Sequence, residues 1–163
     1  MDYLNLNQDK VKETAKALNL LLADYELYYQ KIRNFHWNII GVNFFDLHIQ
    51  FEDMYGDAAE KIDAIAERIL TLGYQPLSNF SDYLETADIK ESSSAIEDRE
   101  MVQILLADHA TLLDQMRKVA QTAEDAGDNG SEDLMDGYIG ELEKTSWMLQ
   151  AWSRKKDEHY QKA

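Results

Sequence analysis

Residues 35–68, FHWNIIGVNFFDLHIQFEDMYGDAAEKIDAIAER, constrain this chain more than any other stretch. They hold two of its four histidines and a glycine-containing connection, and they open a long amphipathic helix carrying His48, Glu52, Asp63 and Glu67. Imidazole suits iron and zinc, and carboxylate suits hard cations, so these side chains are candidate metal ligands. Asn43-Phe44-Phe45-Asp46 reads as the helix start: Asn caps, and an acid in the first turn meets the positive end of the dipole. The helix runs to about Leu72, with Gly73 placed to end it.

His48 and Asp63 are fifteen positions apart. On an α-helix they differ by only about 60° around the axis, so they share a face, yet they lie about 22 Å apart along it. Metal–ligand bonds are about 2.0–2.2 Å long, so one copy of the helix cannot place both on one ion. Two resolutions exist. Either these are unrelated surface residues, or a second copy of the chain supplies the missing half. Antiparallel pairing about a two-fold axis would bring His48 of one chain to Asp63 and Glu67 of the other and would create two equivalent sites. His36 fits that scheme, since it ends the preceding helix one short loop from His48.

The rest of the chain reads as helix. Its one proline is Pro76, and no segment alternates as a strand does. A first helix is expected over Gln8 to Trp37, capped by Asn7, with Val11, Ala15, Leu18, Leu22, Tyr25, Tyr29 and Ile32 as its apolar stripe. The second buries Leu47, Phe51, Met54, Ala58, Ile62, Ile65 and Ile69; Gly56 interrupts it at about 1 kcal/mol, explained by close packing of another helix. Residues 73–94 form a long connection with a short helix near Ser78–Glu85, and a long crossover distinguishes some four-helix bundles from simple up-down ones. A third helix is expected from Ser94, with Glu97 completing a capping box, to Ala126. A fourth follows the Gly127-Asp128-Asn129-Gly130 turn, capped by Ser131 and running to Asp157. His109 lies near the apolar stripe of the third helix and reads as a satisfied or half-exposed histidine, not a ligand, and Trp147 and Trp152 read as packing residues.

Composition narrows the function. A chain of 163 residues with 45% apolar content suggests one folded domain, residues 1–163. There is no cysteine, which excludes disulfides, zinc–thiolate sites and iron–sulfur clusters. No secretory signal or membrane-spanning run is evident, so a cytoplasmic protein, with nucleoid association open, is expected. The formal charge of −15 reads as a solvated surface or as a field that attracts small cations.

The combination of His36-Trp37-Asn38, Gly41, Asn43-Phe44-Phe45-x-Leu47-His48 and Asp63-x-x-Ala66-Glu67-Arg68 resembles the signature of the Dps proteins, the DNA-binding proteins of starved cells. These are a mini-ferritin branch of the ferritin-like superfamily. The resemblance extends over nearly the whole chain, including Glu143-Lys144 and Trp147-Met148-Leu149-x-Ala151-Trp152. It implies an all-α, ferritin-like four-helix bundle with a short extra helix in the crossover between helices 2 and 3. It implies a dodecameric homo-oligomer with ferroxidase sites at dimer interfaces. His36 and His48 would come from one subunit, Asp63 and Glu67 from its mate, with Glu52 a further acidic residue near the metal. Iron would be oxidised there by hydrogen peroxide in preference to oxygen, and ferric mineral stored within, at dinuclear or mononuclear sites. Trp37 would lie beside the site as an electron donor or trap, with core packing the equal alternative. Asp125, Asp128 and Asp133 would line negative pores through which iron enters.

Three rival readings compete with this one. A conventional ferritin builds an intrachain di-iron site from Glu-x-x-His pairs. Here the residues three before each histidine are Arg33, Phe45, Leu106 and Lys156, which argues against it. A DNA-binding shell is the second rival. Family members that bind DNA use Lys/Arg-rich termini, whereas this chain has no base before Lys10, and Asp157 and Glu158 interrupt Arg154, Lys155, Lys156 and Lys162. Direct DNA binding is therefore expected to be weak or absent. The third rival is a shell whose site is inactive or holds zinc or cobalt in place of iron. Thr145-Ser146 departs from relatives that carry His there, with a consequence the sequence does not explain.

Overall fold

The computed structural model describes residues 3–154. Among these residues there are five helices: α1 (Gln8–Asn38), α2 (Phe44–Thr71), α3 (Phe80–Thr86), α4 (Asp98–Ala126) and α5 (Asn129–Ser153). The four long ones form a bundle, and α3 is the short helix inside the crossover from α2 to α4. Contacts between the helices fix their directions. Lys10 Nζ donates to the Asp125 carbonyl at 2.9 Å at one end, and Asn43 Nδ2 to Asp98 Oδ2 at 2.6 Å near the other, so α1 and α4 are antiparallel. Arg117 pairs with Glu143 and Arg99 Nη1 reaches the Ser153 carbonyl, so α4 and α5 are antiparallel. The crossover thus leaves α2 and α4 pointing the same way, on opposite corners of the bundle.

The expected apolar stripes form the core. Val11, Leu18, Leu22, Tyr25 and Ile32 of α1, Phe51, Ile65 and Ile69 of α2, Val102, Leu105, Leu112 and Met116 of α4, and Leu142 and Leu149 of α5 are all buried. The crossover is strapped along α1 by three polar side chains. Asn19 Oδ1 accepts from Leu77 N at 2.7 Å, Asp24 Oδ1 accepts from Ile89 N at 2.8 Å, and Asn34 Nδ2 donates to the Ser92 carbonyl at 3.0 Å. Each satisfies a backbone group that the irregular segment leaves without a helical partner.

The helix ends follow local chemistry, with corrections. Asn7 caps α1, its side chain accepting from Asp9 N and Lys10 N. Gly73 (φ 87°) and Gly127 (φ 71°) end α2 and α4 in the left-handed region. The proposed capping box at Ser94 and Glu97 does not form; α4 begins at Asp98, and Glu97 makes no side-chain cap bond. Asn43 stands at the start of α2, but its amide is drawn to Asp98 and caps nothing. Asp128, not Ser131, caps α5, accepting from Ser131 N. That helix ends at Ser153, and the expected end at Asp157 lies outside the described residues, as do the basic residues Lys155, Lys156 and Lys162. Trp147 is half exposed, so the core does not hold it.

His109 is buried, with both ring nitrogens satisfied, which selects the first of the two expectations. Its Nε2 meets the Tyr28 hydroxyl at 2.7 Å and its Nδ1 the Ser146 hydroxyl at 2.7 Å. Ser146 Oγ spends its own proton on the Leu142 carbonyl, so it accepts from Nδ1–H, and Tyr28 donates to Nε2. This gives the Ser146 departure a structural role. Burial pushes the His109 pKa from 6.5 down to about 3. Burial pushes the Asp24 carboxyl the other way, from 3.8 to about 6, and its Oδ2 has no partner among the described residues.

The two groups act on stability with opposite signs. Unfolded His109 takes a proton near pH 6.5 and folded His109 only near 3, so stability is lost as pH falls through that window. Folded Asp24 takes a proton near pH 6 and unfolded Asp24 near 3.8, so stability is gained as pH falls between them. The two offset each other between about pH 6 and 4. Denaturant midpoints measured across this range will fall more steeply with acid in Asp24→Asn and less steeply in His109→Gln than in the parent. Parallel curves for all three would refute both assignments.

Candidate metal centre

The connection from α1 to α2 brings His36 and His48 together. Gly41 takes φ 98°, a conformation other residues rarely adopt, and its carbonyl accepts from Phe44 N at 3.2 Å. The chain reverses within residues 39–43 and sets the last turn of α1 against the first turns of α2. There the two histidines bond reciprocally to each other's backbone: His36 Nδ1 to the His48 carbonyl at 2.8 Å, His48 Nδ1 to the His36 carbonyl at 2.9 Å. A carbonyl oxygen carries no proton, so each Nδ1 must donate. Each neutral ring therefore keeps its lone pair on Nε2, the tautomer a metal ligand needs, with its orientation fixed by a backbone partner.

The rings are held by stacking as well. His36 and His48 lie 3.8 Å apart at 19°, and Phe44 covers the far side of His48 at 4.7 Å and 23°. Tyr55 meets the His36 ring edge-on at 5.2 Å and 80°. His36 is buried and His48 half buried. Tyr55 was not singled out in the sequence, although it lies seven positions after His48, two helical turns along the same face.

Glu52, Asp63 and Glu67 are exposed on α2. Among the described residues of one chain, no three His, Asp or Glu side chains come together as a metal cage. One chain thus presents two oriented imidazoles without the carboxylates, as the fifteen-residue spacing requires. The face of α2 that carries these acids also carries large apolar groups in the open: Phe45 is 77% exposed, Ile49 58% and Leu70 56%. Gly56 lies on it with nothing within 4 Å of where a Cβ would stand. Among the described residues, no helix of the same chain packs closely against this glycine.

Trp37 is 58% exposed, so core packing does not account for it. The Arg33 guanidinium covers its ring at 4.7 Å. Of the three aspartates expected to line a pore, Asp125 and Asp133 are exposed near the α4–α5 turn. Asp128 is not suited to that role. It is 1% exposed, pairs with Arg68, and receives both the backbone N–H and the hydroxyl of Ser131. Arg68 Nε also donates to Ser131 Oγ at 2.9 Å. Gly130 leaves room for the guanidinium, since a Cβ there would meet it at 3.0–3.1 Å.

No helix among the described residues is long and apolar enough to cross a membrane. A family model described as a ferritin-like domain matches residues 15–157. The DNA protection during starvation protein of Porphyromonas gingivalis is 40% identical over 155 residues, covering 95% of this chain and 98% of that protein. The crystal structure of a Dps protein from Vibrio cholerae O1, described as a ferritin-like diiron-carboxylate protein, superposes with a TM-score of 0.91 at 44% identity, covering 94% and 97% of the two chains. A Dps structure from Listeria innocua, soaked with zinc, superposes with a TM-score of 0.82 at 28% identity, covering 85% and 94%.

Proposed function

The chain belongs to the Dps branch of the ferritin-like family, and from that premise we propose that it oxidises ferrous iron at sites shared between two subunits and stores the ferric product. The reading is carried by the reciprocal carbonyl bonds of His36 and His48, which leave both Nε2 atoms in ligand form at the edge of an uncovered helix face. Asp63 and Glu67 of a second copy complete the donor set, with Glu52 beside them. In antiparallel pairing the two-fold axis passes midway between position 48 and positions 63–67, which is near Gly56. A residue without a side chain lets two α2 helices approach closely there, while Phe45, Ile49 and Leu70 lose their exposure to water.

Carboxylates neutralise part of the ferric charge, and two ions held together release two electrons. Hydrogen peroxide, which takes up two, is then reduced to water without freeing a hydroxyl radical. Peroxide is accordingly the favoured oxidant, with oxygen the alternative. Twelve subunits built from such dimers would enclose the mineral, and Asp125 and Asp133 would draw iron through the shell. DNA would be protected by removal of ferrous iron and peroxide. Direct DNA binding is weak or absent on this reading, and retention of duplex DNA in a gel shift at physiological salt would overturn that part of it.

The test is ferric absorbance after anaerobic ferrous iron meets peroxide, comparing the parent with Asp63→Ala/Glu67→Ala of unchanged assembly. The expected loss is at least the roughly 10–100-fold seen when even outer partners of metal ligands are removed. Equal rates near the protein-free control would refute the ferroxidase reading. Zinc suits the same donors, so added zinc should inhibit the parent and leave the variant unaffected.

A further inference from the structure

The aromatic contacts around His36 single out a residue that the ligand set does not include. Tyr55 stands edge-on to the His36 ring at 5.2 Å, and its other face neighbour is Tyr29, 6.2 Å away at 79°. These are contact distances for aromatic rings. Both tyrosines are half buried. Two ferrous ions at one site supply both electrons that peroxide needs. A site holding one ferrous ion lacks the second, and one-electron cleavage of the O–O bond would release a hydroxyl radical beside the histidines.

We propose that Tyr55 supplies the missing electron to peroxide when a single ferrous ion occupies the His36–His48 end of the site. The inference rests on the ferroxidase reading above. One peroxide, one ferrous ion, one proton and the Tyr55 phenol give one ferric ion, a Tyr55 phenoxyl radical and two waters. The O–O bond breaks, one electron comes from iron, and the other comes from the phenol along with its proton. A later ferrous ion and a proton return the phenoxyl to phenol, leaving a second ferric ion.

Trp37 adjoins His36 in sequence, but its surroundings suit this role less. The Arg33 guanidinium lies 4.7 Å from the Trp37 ring centroid and 5.0 Å from that of Tyr29. A positive charge at that distance opposes removal of an electron from either ring. The ring in contact with the His36 ligand is that of Tyr55. The hole therefore settles on Tyr55, between the metal ligand and a Tyr29 made harder to oxidise. Tyr55 passes its electron by way of the His36 ring it touches, so its signature is spectroscopic.

The experiment mixes the assembled protein with peroxide at less than one ferrous ion per site, freezes it within milliseconds and records the electron paramagnetic resonance spectrum. The parent is expected to give a tyrosyl signal that collapses in width when ring-deuterated tyrosine is incorporated. Trp37→Phe should keep that signal, and Tyr55→Phe should lose it and accumulate oxidised His36 and His48 detected by mass spectrometry. Cobalt binding, read from its visible absorption, checks that the donors in Tyr55→Phe are intact. Spin-trap adducts mapped in the parent chain locate the radical without any substitution. An unchanged signal in Tyr55→Phe, its loss in Trp37→Phe, or adducts away from Tyr55 would overturn the proposal. Rapid ferrous oxidation with no tyrosyl signal would overturn it while leaving the ferroxidase reading intact. Absence of rapid oxidation would overturn both.

Discussion

Coassembly of a chain carrying Asp63→Ala/Glu67→Ala with one carrying His36→Gln/His48→Gln should restore about one quarter of the parent's oxidation sites, by the counting of a two-fold interface. Alone, neither variant oxidises iron above the protein-free rate. The recovery follows from the α2 geometry. The first variant keeps its histidines and the second keeps its carboxylates, so a mixed dimer holds one complete site and one that lacks both histidines and both of these carboxylates. Random mixing makes half the dimers mixed, and each of those has one good site out of two. Glutamine preserves most of the volume packed against Phe44 and Tyr55. Initial ferric absorbance rates report the recovery, and native mass spectrometry verifies the mixing. No recovery in verified mixed assemblies would mean that the site is not shared between chains.

Asp128→Ala should destabilise the protein by about 3–5 kcal/mol, the scale for removing one partner of a buried ion pair. Its carboxylate accepts from the Arg68 guanidinium, from Ser131 N at 3.1 Å and from Ser131 Oγ at 2.6 Å. The loss strands a charge that is 18% exposed and removes the cap of α5. Asp125→Ala, three residues earlier and exposed, should move stability by less than about 0.5 kcal/mol. Chemical denaturation of matched assemblies measures both. If Asp128 lined a pore, the two substitutions would slow iron entry alike and leave stability alone, so equal denaturant midpoints for Asp128→Ala and the parent would refute the structural role.

The sequence carried the helices because their apolar residues recur with helical period. Phe51, Ile65 and Ile69 are buried where that period puts them. Helix ends were less legible. Ser94 and Glu97 have capping chemistry, yet α4 starts at Asp98, whose carboxylate meets Asn43 from the α1–α2 connection. Ser131 also has the right chemistry, but the neighbouring Asp128 takes the cap because Arg68, sixty residues away, draws its carboxylate into that position. A cap is chosen between near-equal local options, and one long-range ion pair is enough to decide it.

The site divides along the same line. The sequence alone showed that His48 and Asp63 share a helix face and cannot share an ion within one chain, because helix rise and turn per residue are set by the backbone. It also placed His36 one short loop away. Only the tertiary structure decided the tautomers, because these depend on which carbonyl each ring nitrogen meets across the α1–α2 connection. Only it separated Asp128 from Asp125 and brought Tyr55 to the edge of His36. Periodicity and spacing are properties of one helix and can be read along a chain; hydrogen-bond partners and ring contacts arise between helices and exist only once those helices have packed.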